Sequence, residues 1–165
     1  MGTDRSIYRG TEVMGKCRVN KKVIFWWLVL PVAIVLYTAA WLVPATWWYQ
    51  PISVVISDVR VGQDPTVSIK RSIKRGFDGQ YTVSIWRDPS DGDVACSGSD
   101  TLRYRGGLFA PHESPLTQWA NDDWCAKLPP GNYYAEGCWT VLRPFYGIVP
   151  AKTVCVMSNL FTVRE

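Results

Sequence analysis

The sequence predicts an all-β sandwich set behind a single N-terminal transmembrane helix. Three observations carry that expectation. Residues 23–49 contain no charged side chain, and about 20 apolar residues in a helix suffice to span the hydrocarbon core of a bilayer. From Pro51 onward, short runs rich in Val, Ile, Thr, Tyr and Trp alternate with clusters of Gly, Pro, Asp and Ser, the pattern of strands and turns. Of the five cysteines, Cys17 precedes the apolar run, while Cys96, Cys125, Cys138 and Cys155 follow it, an even set suited to an oxidising compartment.

These observations divide the chain into a basic tail over residues 1–22, a signal-anchor helix over 23–49 and a β-domain over 50–165. The tail is polar and holds Gly2, Gly10 and Gly15. Its first six residues match a myristoylation pattern, but an acyl chain adds little to a chain that already spans the membrane. Before the apolar run stand six basic residues against Asp4 and Glu12, whereas twelve basic and twelve acidic residues follow it. Short Lys- and Arg-rich segments stay in the cytoplasm, so the expected topology is N terminus inside, β-domain periplasmic or otherwise extracytoplasmic, and the protein single-pass in the cell's inner (plasma) membrane. Lys21, Lys22, Trp26 and Trp27 at the start of the run and Trp47, Trp48 and Tyr49 at its end are assigned to the two membrane interfaces, the depths at which amphipathic rings settle. The run is too long for a cleaved signal peptide. It has no ionisable residue to line an ion path, no strong small-residue face, and Pro31 near its start is expected to kink it.

In the β-domain, strands are expected at 52–61, 66–75, 80–87, 94–97 and 101–105, with turns at 62–65 and 76–79 and a hairpin turn at 88–93, where Asp91-Gly92 supplies positive φ. Residues 80–87 carry apolar groups on both faces. Residues 106–115 form a Gly- and Pro-punctuated loop, 116–128 resume extended structure, and Pro129-Pro130-Gly131 turns into a strand over 132–142. A loop over 143–151 leads to a closing strand over 152–163. Three disulfide connectivities are open. Pairing of the last two strands favours Cys138 with Cys155, which leaves Cys96 for Cys125.

The stretch LPPGNYYAEGCW, a tight turn followed by Tyr133, Tyr134 and Cys138, resembles the late strand of immunoglobulin-like domains, in which a tyrosine closes a corner. That resemblance implies an immunoglobulin-like β-sandwich. The Tyr-to-Cys spacing differs from that of true immunoglobulin domains, and Cys138 lacks an obvious partner on an early strand. The last 40 residues, with LPPGNYY, CW and KTVCVMSNLFTV, resemble the ends of β-domains in uncharacterised single-pass membrane proteins of bacteria and their phages. The family implies an architecture and a phage or envelope setting, and no activity.

No set of side chains forms a recognisable catalytic or metal centre. His112 is the sole histidine and reads as a loop residue, no Cys-x2-Cys pair exists for zinc, and the spacing of Asp88, Asp91 and Asp93 departs from a calcium loop. Asp122 and Asp123, if extended, point to opposite faces. No cofactor is expected. The repeat SIKRSIKR places Lys70, Arg71, Lys74 and Arg75 along one strand, which reads either as an anion-binding edge or as an edge protected by charge. Trp86, Trp119, Trp124 and Trp139 are assigned to the core. Phe109, His112, Phe145 and Tyr146, in loops, are the candidates for partner contact.

The expected function is a membrane-anchored, extracytoplasmic binding or scaffolding module, not an enzyme, whose partners are the lipid bilayer and a protein; a neutral domain facing away from the genome excludes nucleic acid. An envelope enzyme or accessory subunit acting on a cell-wall polymer, and a structural subunit of a larger membrane complex, are the alternatives.

Overall fold

The structure, a computed structural model, describes residues 21–88, 93–107 and 112–165, with side chains on the first helix described from Trp26 onward. The chain divides into two compact units, Met1–Leu36 and Tyr37–Glu165, the division falling inside helix α1, Lys21–Leu42. The helix continues through Pro31. Its large apolar side chains are exposed, Trp27 at 76% and Leu36 at 65% among them. Among the described residues no helix is long and apolar enough to cross a membrane; the portion of α1 with described side chains, 26–42, by itself falls short of the about 20 residues a span takes.

The β unit opens with the last turn of α1, where the Trp41 indole donates to the Tyr37 hydroxyl at 3.1 Å. The Lys152 ammonium donates to the Trp41 carbonyl and lies 5.3 Å from its ring centroid. After α1 the chain extends at Pro44 and turns once through Ala45–Trp47 into β1, Tyr49–Ile56. The anchor assignment over 23–49 therefore needs correcting at its end. Trp48 is 7% exposed and Tyr49 fully buried, both in the core of the β unit, while Trp47 stays partly exposed. An apolar run cannot by itself say where lipid contact ends and a protein core begins, because both are apolar surroundings.

The predicted all-β class is observed. Strands β3 (Thr66–Ile73), β4 (Phe77–Asp88), β5 (Val94–Tyr104) and β7 (Gly131–Val141) match the expected runs, β5 as one continuous strand. A short β2 (Val59–Arg60) follows β1. Strand β6 (His112–Pro115) lies where a loop was expected, and the closing run divides into β8 (Lys152–Met157) and β9 (Phe161–Arg164). One sheet has the order β1-β3-β6, the other β2-β9-β7-β4-β5, with β8 also on β7. Between β1 and β2 the chain crosses from one sheet to the other, so β1 runs antiparallel to β3 and β2 parallel to β9.

Period-2 alternation sets the layers. Tyr81, Val83 and Ile85 of β4 and Tyr133, Ala135, Trp139 and Val141 of β7 are buried, and they meet Val54, Ile56, Val67, Ile69 and Ile73 of the other sheet. On the opposite face of β4, Thr82 is exposed and Ser84 and Trp86 half-buried. Aromatic rings fill one end of this core: Tyr49 stacks on Trp139 at 5.0 Å and meets Tyr104 edge-on at 5.6 Å, and Tyr104 stacks on Phe77 at 4.7 Å. Such pairs add about 0.5–1.5 kcal/mol beyond burial.

Residues 116–128 are helical, not extended. Helix α2, Leu116–Ala120, buries Leu116, Trp119 and Ala120, an i, i+3, i+4 set, and Asn121 ends it at φ 52°. A 3-10 segment, Asp123–Lys127, follows, with the Asp122 carboxylate accepting from the Trp124 amide at 2.9 Å. Helix α2 packs on β5 at Gly98, where a Cβ would stand 1.4 Å from the Ala120 carbonyl oxygen.

The cysteines pair as favoured. Cys96–Cys125 lies in the core with Cα atoms 5.6 Å apart and ties β5 to the 3-10 segment; Cys138–Cys155 joins β7 to β8 on the outer face, Cα atoms 4.0 Å apart.

Candidate functional site

Strand β3 fixes the character of the site. It is the central strand of its sheet, between β1 and β6, so the reading of SIKRSIKR as a charged sheet edge, whether binding or protective, is corrected. Its inward positions are Val67, Ile69, Arg71 and Ile73. Lys70 and Lys74 point outward and are exposed, whereas Arg75 lies over the Trp47 ring at 4.6 Å. Three apolar neighbours on the same face carry Arg71 into the space between the sheets, a position that strand alternation dictates once β3 is paired on both sides.

There the two sheets part. The edges β6 of one sheet and β5 of the other are not hydrogen-bonded to each other, and α2 spans the gap. A cleft of about 530 Å³ results, with Arg71 on its β3 wall, Ser114 and His112 on β6, Asp100 and Tyr104 on β5, and Trp119 and Trp139 at its floor. That volume suits a small-molecule ligand.

The polar groups of the cleft are incompletely matched. The Arg71 guanidinium sits 5.8 Å from the Tyr104 ring centroid, and among the described residues it makes no ion pair. Ser114, 5% exposed, has a hydroxyl with no hydrogen-bond partner among the described residues, and so does the fully buried Tyr49. Arg71 approaches the Tyr49 hydroxyl closely enough to act on its ionisation without reaching hydrogen-bond geometry. Burial raises the Tyr49 phenol well above the ordinary tyrosine value, against the opposing charge of Arg71. Tyr104 is pushed up to about 12, by burial first, with Arg71 again opposing. Tyr81 is raised by burial and then by the Asp100 carboxylate. Both phenols nearest Arg71 thus stay neutral, and the guanidinium has no anionic neighbour in contact among the described residues.

The other sequence-selected residues are scattered. His112 lies on β6, exposed at the mouth of the cleft, paired across the sheet with Ile69. Phe145, expected to be exposed, packs edge-on against Trp47 and Trp48 at 5.7 and 5.2 Å. Its neighbour Tyr146 is fully exposed, and the two take φ of 48° and 60°, followed by Gly147 at 87°. Trp119 and Trp139 are core residues as expected, Trp86 is half-buried, and Trp124, 70% exposed, lies beneath the Lys127 ammonium at 4.8 Å. Trp26 and Trp27 are exposed on α1. Phe109, the side chains of Lys21 and Lys22, the myristoylation pattern and the centre of the Asp88–Asp93 turn lie outside the described residues.

Among the described residues two sets could hold a metal by proximity, Cys96–Asp122–Cys125 and Glu136–Cys138–Cys155, but each contains a disulfide pair, which offers no thiolate. Ser114, Tyr104 and Asp100 were not legible as site residues in the sequence. The one available signal was Arg71 itself, a cation at an inward position of an apolar alternation. No protein-family model matches the chain, and no curated protein matches it.

Proposed function

We propose that the protein is a membrane-anchored, extracytoplasmic binding module that presents an immunoglobulin-like domain to a protein partner. The observation that carries the reading is α1. Its backbone runs Lys21–Leu42, a rise of about 33 Å at 1.5 Å per residue. It carries no charge after Lys22, and its apolar side chains are exposed around the helix. A helix apolar on every side needs apolar surroundings. The basic residues before it orient the N terminus to the cytoplasm, and the two disulfides on its far side suit an oxidising space.

Strand order supports the immunoglobulin-like reading. A three-stranded sheet facing a larger one, a first strand that switches sheets to run parallel to the last, and the Tyr133 hydroxyl donating to the Pro129 carbonyl at 2.8 Å are features of that architecture. The disulfides differ from it, since neither links β3 to β7. Tyr146, held fully exposed at positive φ, is the candidate anchor for the partner, because strained, exposed aromatic positions cluster at binding surfaces.

Labelling of intact cells tests the topology: a membrane-impermeant maleimide is expected to modify a cysteine placed at Tyr146 and to spare Cys17. Accessible Cys17 with a protected position 146 overturns it. Mild detergent extraction tests the module: recovery only as a lone monomer argues against a stable partner.

A further inference from the structure

We infer that the end of the β unit at which the chain enters from α1 is a basic collar that lies on anionic phospholipid headgroups. The inference rests on reading α1 as a membrane anchor, and goes beyond it by giving the β unit a lipid-facing pole. Strand register assigns the charged residues to ends. Tyr49 pairs with Ile73, Phe77 with Tyr104, and Val141 with both Gly79 and Lys152, so the start of β1, the end of β3, the start of β4 and the ends of β5 and β7 lie together with the start of β8. At this end stand Lys74, Arg75, Arg103, Arg105, Arg143 and Lys152, and among the described residues Asp78, 3.8 Å from Arg103, is the one acidic group there. Of the SIKRSIKR cations only Lys74 and Arg75 belong to it. The opposite end carries Asp58, Asp64, Asp88, Asp93, Asp122 and Asp123 against Arg60, Arg87, Lys127 and Arg164, the last held by Asp58 at 3.0 Å.

Acidic and basic residues balance after the helix, so net charge conceals this separation. Strand β4, 12 residues long, sets the two ends about 35 Å apart. Charges in about 0.15 M salt are screened over about 8 Å. A surface that meets one end therefore senses that end and not the neutral sum. What else stands at the basic end selects a membrane over an acidic protein. Lys152 donates to the carbonyl of Trp41 in the last turn of α1, Arg75 lies over the Trp47 ring at 4.6 Å, and Ile148, between β7 and β8, is 63% exposed. Cations, indoles and an exposed aliphatic side chain at one end match the headgroup layer, which offers phosphates to the first and an apolar boundary to the others. Lys74, Arg75, Arg103, Arg105 and Arg143 are exposed. Such spread charge suits many mobile headgroups better than one compact ligand. The headgroup layer is wet, so position 146 on the same connection stays open to a polar maleimide.

The test uses the full-length protein in phosphatidylcholine nanodiscs with and without added phosphatidylglycerol, each disc holding a trace of lipid with a nitroxide on its headgroup. The readouts are nitroxide-induced relaxation of the Arg105 and Arg143 amides at the basic end and of the Trp124 indole N–H at the other. Phosphatidylglycerol is expected to raise relaxation of the two amides about threefold or more and to leave Trp124 unchanged. Salt at about 1 M, where the screening length is about 3 Å, is expected to remove the gain. Lys74→Gln combined with Arg105→Gln changes two exposed side chains. The pair is expected to cut the gain at Arg143 several-fold, since each cation near an anionic surface contributes about fivefold in binding. Equal relaxation in both lipids, or a gain indifferent to salt and to the double variant, overturns the collar. Co-elution of the protein with the discs is read in the same samples. A chain that does not incorporate overturns the anchored reading itself, an outcome distinct from an incorporated chain whose amides ignore the lipid charge.

Discussion

Single side chains decide how closely the layers approach. Gly98 lets the Ala120 carbonyl sit where a Cβ would be, 1.4 Å away. Gly98→Ala must therefore push α2 off β5 and, with it, Trp119 on the cleft floor. A loss of at least about 1–3 kcal/mol is expected in urea denaturation, with the Trp119 indole resonance displaced. Tyr133 acts at the opposite corner, where its hydroxyl holds Pro129. Tyr133→Phe is expected to cost about 1 kcal/mol, read in the same assay. The two residues differ in legibility. The tight Pro-Pro-Gly turn before Tyr133 is legible, whereas nothing near Gly98 in sequence reveals that Ala120 will lie against it.

Elements show the same division. The run at 152–163 reads as one strand because it lacks Gly and Pro, yet it breaks at Ser158–Leu160 through distant contacts. The Ala135 amide donates to the Ser158 hydroxyl at 2.8 Å, and the Asn159 side chain accepts from the Ile56 amide at 2.7 Å while donating to the Ile56 carbonyl at 3.0 Å. Helix α2 is missed for another reason: five residues are too few for a 3.6-residue period to separate from strand alternation. The disulfides are predicted to differ in worth. Replacing both Cys96 and Cys125 by Ala removes a core link closing 29 residues, with an expected loss of about 2–5 kcal/mol. Replacing Cys138 and Cys155 is expected to cost less, because the β7–β8 ladder remains across a closure of 17 residues. Denaturation midpoints of the two double variants give the order. In the β7–β8 connection, Tyr146→Asn is expected to gain up to about 1 kcal/mol, since Asn tolerates the left-handed region better. The same change should weaken partner capture, which co-extraction measures.

For the whole molecule, the boundary between helix and domain makes the sharpest prediction. Tyr49 stacks on Trp139 and Trp48 is buried, so residues 43–165 are expected to unfold cooperatively, whereas residues 52–165 lack two core rings and are expected to show no cooperative melt. Stability should also fall in alkali. Tyrosines of the unfolded chain ionise near pH 10, while Tyr104 holds its proton to about 12 and Tyr49 is raised as well. Stability from these groups is complete below about pH 10 and is lost as the pH rises towards 12, because the unfolded state releases protons first. Thermal melts between pH 9 and 11 check this, and Tyr104→Phe should flatten the decline.

The sequence by itself determined the β class, the alternation of most strands and the tight turn before Tyr133, because each follows from local periodicity or turn chemistry, and it favoured one set of cysteine pairs without fixing it. Only the tertiary structure decided that β3 is central, that Arg71 faces inward, that Tyr49 belongs to the core and that Ser114 lines a cleft. Those facts depend on which strands lie side by side, and the pairing of β3 with β6 joins segments far apart in the chain.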